Sequence, residues 1–223
     1  MMILPVFTKY DTKAISAEKS ARTIVVTDIP MYAKADPIKA AFRKYGTIVD
    51  FHMYTPFKSK FQAAEIIFSS QQAVNIFEDK WSIFVMGECL RTRPKNFTKE
   101  QIEARSQHAA ILHDLPPNTN ASKLIHIMSN TNAKAIGIPR TLSTYRPRPW
   151  AHFFFATQEA RDSAMELSVA VNNKPVRWTL PDKNKPLCLR CSFPNYKMSE
   201  CDALRLHGRT PTVTAIIIVP LLP

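Results

Sequence analysis

Glycine is scarce: the chain of 223 residues holds only Gly46, Gly87, Gly137 and Gly208, and no two lie close together. A loop that cradles phosphate needs clustered glycines so that backbone N–H groups can approach the anion, which excludes the Walker and dinucleotide-binding fingerprints. Acidic residues are also in short supply, 18 against 30 lysines and arginines, for a net charge of +12. That imbalance suits a polyanionic partner, because each phosphate neutralised releases condensed counterions. Long apolar runs are missing. The closing run from Ala215 is broken by Pro220 and the opening one by Lys9, far short of the roughly 20 residues that cross a membrane. The start also has no basic flank of the kind a signal peptide carries. The expectation is an intracellular protein, nuclear or cytoplasmic, neither secreted nor membrane-bound.

Catalytic patterns are missing as well. No His-x-Glu precedes a Pro-Cys-x-x-Cys, so a nucleobase deaminase is excluded. The histidines form no metal-binding helical pair, and His113 beside Asp114 reads as a chance pairing rather than a nucleophile and base. The expectation is a protein that is not an enzyme.

What the chain does have is a 45% hydrophobic fraction, enough to bury real cores, and an internal duplication. Ile24-Val-Val-Thr-Asp-Ile-Pro30 matches Ala110-Ile-Leu-His-Asp-Leu-Pro116. Phe68-Ser-Ser-Gln-Gln-Ala73 matches Phe155-Ala-Thr-Gln-Glu-Ala160, and Leu90-Arg91 matches Val176-Arg177. The offsets are 86, 87 and 86, which points to a repeated domain rather than a solenoid.

In the first unit, Thr23 to Ile29 predicts a strand ended by Pro30. Asp36-Pro37 predicts a helix start, with Asp36 as cap and Pro37 in the first position. Ile38, Ala41, Phe42 and Tyr45 continue at helical spacing and Gly46 stops them. Strands are expected at Ile48 to Tyr54, Ala63 to Phe68 and Leu90 to Arg93, with a helix capped by Ser70 between the last two. The second unit predicts the same order from Ala110 to Leu180, its second helix capped by Thr157.

The fold class expected is α+β: two ferredoxin-like domains, each βαββαβ, plus a small Cys-rich C-terminal segment. The expected division is a flexible arm (1–21), a first domain (22–95), a linker (96–107), a second domain (108–182), the Cys-rich segment (183–209) and an apolar tail (210–223).

The aliphatic openings ending in Pro, with Phe42-x-x-Tyr45-Gly46-x-Ile48, resemble the RNA-recognition motif family. Its plaits carry base-stacking side chains on the central strands. The resemblance implies that Arg148-Pro-Trp-Ala-His-Phe-Phe-Phe155 is the third-strand octamer of the second unit. Trp150 and His152 then fall on one face, because successive strand side chains alternate. Ile111, His113, Arg177 and Thr179 should join them, with Arg148 and Arg177 meeting phosphates. Pro149 replaces the octamer's Gly, and Ile111 the usual first-strand aromatic.

The first unit's octamer, Phe61-Gln-Ala-Ala-Glu-Ile-Ile-Phe68, puts Ala63 and Glu65 where rings are expected, and Glu65 should repel phosphate. A structural or protein-binding role is expected for that copy, with Arg91, Arg93, Lys58 and Lys60 as secondary backbone contacts.

The Cys-rich segment has the spacing of a zinc knuckle at Cys188, Cys191 and Cys201, but Tyr196 stands where histidine is expected. A tyrosine oxygen must lose a proton with pKa near 10 to ligate zinc. The spacing implies descent from a knuckle and at most one weakly held zinc ion. Lys185, Arg190 and Lys197 would add nucleic-acid contacts there.

Tandem recognition motifs followed by a knuckle are similar to the nucleic-acid-binding first-reading-frame proteins of non-LTR retrotransposons. The function expected is binding of single-stranded RNA or DNA on the second sheet. The alternative is a protein-interaction scaffold whose domains no longer bind RNA.

Overall fold

The computed structural model describes residues 12–57, 59–141 and 144–181. The Cys-rich segment and the tail lie outside the described residues, as does Lys58. Within them the chain forms two α-β plaits, each a five-stranded antiparallel sheet with helices against one face.

The first sheet has the order β2-β3-β1-β5-β4. Its strands are β1 (Thr23–Pro30), β2 (Ile48–Tyr54), β3 (Phe61–Phe68), β4 (Ser82–Val85) and β5 (Glu88–Pro94). Alternation sends Ile24 and Val26 of β1 and Ala64, Ile66 and Phe68 of β3 inward. There they meet Ile38 and Phe42 of α2 (Ala35–Arg43) and Ala73, Val74 and Phe77 of α3 (Gln71–Asp79). Ser70 caps α3 as expected, its hydroxyl accepting the Gln72 N–H at 3.2 Å.

The cap expected at Asp36 is displaced. Helix α2 begins at Ala35, its N-cap residue Lys34 makes no side-chain cap bond, and Asp36 lies in the first turn, where a carboxylate favours the helix dipole. Gly46 is needed for close approach: a Cβ there would sit 2.9 Å from the Ala73 methyl. Residues expected as a flexible arm include a helix, α1 (Thr12–Ala21).

The second sheet repeats the first, with the order β7-β8-β6-β10-β9. Its strands are β6 (His108–His113), β7 (Ala135–Gly137), β8 (Trp150–Phe155), β9 (Val169–Val171) and β10 (Lys174–Thr179). The expected strand from Ala135 to Leu142 is thus shorter. The first helix of this unit is reduced to a 3-10 turn, η1 (Ala121–Leu124), running into the short α5 (Ile125–Asn130). Helix α6 (Gln158–Glu166) is capped by Thr157, which accepts the Ala160 N–H at 3.2 Å.

Strands β4 and β9 were not expected. Each makes a hairpin through two residues of positive φ, Met86 and Gly87 in one unit and Asn172 and Asn173 in the other. That is the backbone a tight two-residue hairpin requires.

The linker folds as α4 (Lys99–Gln107), opened by a capping box between Thr98 and Gln101. Its Arg105 clamps it to the first plait, donating to the carbonyls of Thr92, Phe77 and Glu78 at 2.6, 2.7 and 2.5 Å. The same guanidinium lies over the rings of Phe97 and Trp81, at 4.6 and 5.1 Å.

The two plaits share an interior. Cys89 of β5 is buried in the second plait's core, and Phe84 of β4 packs against it. The Ile136 N–H donates to Cys89 Sγ at 3.3 Å, Ser82 Oγ to the Lys134 carbonyl at 2.8 Å, and the Ser122 N–H to the Gly87 carbonyl at 3.0 Å. Burial pushes the Cys89 thiol up to about 11, so it stays protonated. No described helix is long and apolar enough to cross a membrane.

Candidate nucleic-acid interface

The duplicated sequence match encodes a duplicated ion pair. At the end of β1 and again just after β6, an aspartate takes the left-handed conformation, Asp28 at φ 62° and Asp114 at φ 66°. Aspartate tolerates this region better than most residues. Each then faces the arginine of the last strand. Arg91 pairs with Asp28 through two of its nitrogens, and Arg177 Nε reaches Asp114 at 2.6 Å. Two of the arginines expected at phosphate, Arg91 and Arg177, therefore already engage a carboxylate.

The second sheet brings the expected residues together. Across it, Trp150 lies opposite His113 and His113 opposite Arg177. In the next row His152 lies opposite Ile111 and Ile111 opposite Thr179. Along β8, Trp150, His152 and Phe154 form a ladder of rings with centroids 4.9 and 6.1 Å apart. The Arg91 guanidinium of the first plait sits 4.9 Å over Phe154. Arg148 precedes the strand and is half-buried.

The face is not the open platform that alternation alone suggested. Ile111, His113 and Trp150 retain 2%, 3% and 7% of their surface. The Trp150 indole N–H is buried with no hydrogen-bond partner among the described residues, whereas His113 Nε2 meets Thr179 Oγ1 at 2.8 Å. Burial, with Arg91 and His113 close by, lowers the His152 imidazole to about 4. Burial likewise takes His113 to about 4. Both rings are neutral at pH 7 and present aromatic faces rather than charge.

Where the two plaits meet, a crevice of about 170 Å³ opens beside the ladder. His152 and Phe154 of the second plait and Phe61, Asp28, Glu88 and Arg91 of the first line it, together with Gly137, Ile138 and Pro139. Of the two ladder rings that line this space, His152 is half-buried and Phe154 buried.

The first sheet departs from expectation in the opposite direction. Glu65 is neutralised by Lys95, 2.6 Å from its carboxylate, so it does not present a bare charge to phosphate. Strand β2 carries His52 and Tyr54, two exposed rings stacked 5.6 Å apart at 18°. The signal was present in the alternation of His52 and Tyr54 along the strand. Arg93, half-buried on β5, comes within electrostatic range of Tyr54 and Glu65. Lys60 donates to the Arg140 carbonyl at 3.5 Å. Lys58, Lys185, Arg190, Lys197 and the knuckle residues Cys188, Cys191, Tyr196 and Cys201 lie outside the described residues. Among the described residues no cluster of three or more His, Cys, Asp or Glu could hold a metal.

No family model matches the chain, and no curated protein matches it. Among solved structures, it is similar to the Sex-lethal RNA recognition domains 1 and 2 from Drosophila melanogaster, with 20% identity and a TM-score of 0.33 over 72% of this chain and 99% of that one. It is similar also to the first two RRM domains of the yeast poly(U)-binding protein, with 16% identity and a TM-score of 0.32 over 73% and 100%. The RNA-binding domain of Hrp1, solved in complex with RNA, matches at 11% identity and a TM-score of 0.35 over 74% and 99%.

Proposed function

We propose that this chain is a non-catalytic protein that binds single-stranded RNA or DNA, the two plaits acting as one body. The observation that carries the reading is the ladder Trp150–His152–Phe154 on one sheet face, reaching the crevice between the plaits, with Arg148 just before the strand. A base entering the crevice meets His152 and Phe61, and ring stacking is worth about 1–3 kcal/mol per base while tolerating any base. The chain's net charge of +12 supplies the long-range attraction to phosphate. The basic Cys-rich segment adds a second tethered contact and raises the effective concentration of the first. An origin as a diverged retrotransposon first-reading-frame protein accounts for the combination of plaits and a knuckle lacking its histidine.

The burial of Trp150, Ile111 and His113 favours a second reading, a protein-interaction scaffold. Binding of a fluorescent single-stranded RNA by the full chain at low and high salt separates the two. Salt-steep binding that His152→Ala weakens by about 1 kcal/mol or more supports the nucleic-acid reading. Absence of binding at low salt leaves the scaffold.

A further inference from the structure

Strand β2 is an edge strand, and its outward side chains His52 and Tyr54 are exposed although both are rings. Their near-parallel stack, 5.6 Å apart, holds two flat faces side by side in water. Neither ring takes part in a core cluster of the described residues.

Tyr54 lies opposite Ala63 and His52 opposite Glu65. Ala63 is buried, with 4% of its surface exposed, and the Glu65 charge is taken by Lys95. Val25 lies between Glu65 and Arg93 across the sheet, so the Arg93 guanidinium reaches toward Tyr54 over two intervening strands. Arg93 forms no ion pair among the described residues, its one hydrogen bond being a 3.4 Å contact to the Pro94 carbonyl. The surface thus pairs two stacking faces with a cation that forms no ion pair among the described residues, although Glu65 lies within electrostatic range of it. It is continuous with the crevice: Phe61, two residues before Ala63 on β3, shares its face and lines the crevice wall.

We propose that His52, Tyr54 and Arg93 form a second stacking site for single-stranded nucleic acid, receiving the bases that leave the crevice past Phe61. Tyr54 and His52 take the faces of successive bases and Arg93 the intervening phosphate. The first plait, whose central strand carries Ala63 and Glu65 where rings were expected, then binds through its edge strand instead. This inference rests on the nucleic-acid reading above and assigns that reading a location.

The test is fluorescence anisotropy of a labelled single-stranded oligouridylate with the full chain at low salt. It compares wild type, Tyr54→Phe, Tyr54→Ala and the His52→Ala/Tyr54→Ala pair. These side chains are exposed, and Tyr54→Phe keeps the ring. The expected result is a loss of about fivefold or more in affinity for Tyr54→Ala, a further loss for the pair and wild-type affinity for Tyr54→Phe. Wild-type affinity for both alanine variants overturns the site while leaving the nucleic-acid reading intact. Failure of the wild type to bind overturns both.

Discussion

Arg140 of the second plait and Glu88 of the first form an ion pair at 2.6 Å, with 8% and 13% of their side chains exposed. The Tyr32 hydroxyl donates to the same carboxylate oxygen at 2.9 Å, and Arg140 stands over the rings of Tyr32 and Tyr145 at 5.4 and 5.1 Å. The Tyr145 hydroxyl donates in turn to the Lys60 carbonyl at 2.7 Å. The network sits where β5 begins and the loop after β7 returns, and it joins the two plaits.

Removing one member of a buried ion pair leaves the other unpaired, at a cost of about 3–5 kcal/mol. Glu88→Gln is therefore expected to lower the urea midpoint substantially. The double variant Glu88→Gln/Arg140→Met should recover part of the loss, because neither charge is then stranded. Equal stability of Glu88→Gln and wild type in urea titrations would show that the pair contributes nothing.

His113 and His152 titrate near 4 in the folded chain, against about 6.5 when unfolded. Between these values the unfolded chain binds more protons, so stability falls with acidification and is fully present only above pH 6.5. Urea midpoints measured from pH 7 down to pH 5 should decline steadily. His152→Phe should decline less steeply, since one of the two linked protons is gone.

Arg105 fastens the linker helix to the first plait by its fork of donors rather than by its charge. Burial, with Arg93 nearby, lowers it to about 10, still fully protonated at neutral pH. Arg105→Lys keeps the charge but cannot reach three carbonyls at once. It is expected to cost about 1–3 kcal/mol of stability in thermal unfolding, and Arg105→Ala more. A lysine variant as stable as wild type would show that charge alone suffices.

Much of the plan was legible because it is local. The βαββαβ order follows from strand alternation, helical spacing and the Ser70 and Thr157 caps, and the repeat offset places both Asp–Arg pairs. The Trp150–His152 face was legible from alternation alone. The added hairpins had signals in Gly87 and in Asn172-Asn173, which suit positive φ, whereas Met86 gave none. The burial of the second face was not legible, since it depends on packing between distant segments, and nothing local to Ile111 or Trp150 reports that. Ile111 at a position where a ring was expected is consistent with a dry surface. The open pair on β2 had only the alternation of His52 and Tyr54 as a signal, on an edge strand away from the central strands where the resemblance implies stacking.

Duplication ordinarily yields two units that can part company and diverge separately. Here the older partition has been erased, because Cys89 belongs by descent to one half and by packing to the other. Severing the chain at α4 would leave one piece with an exposed thiol and the other with a hollow where that thiol sat. A change at position 89 is therefore felt by both plaits together, one through its strand and the other through its core.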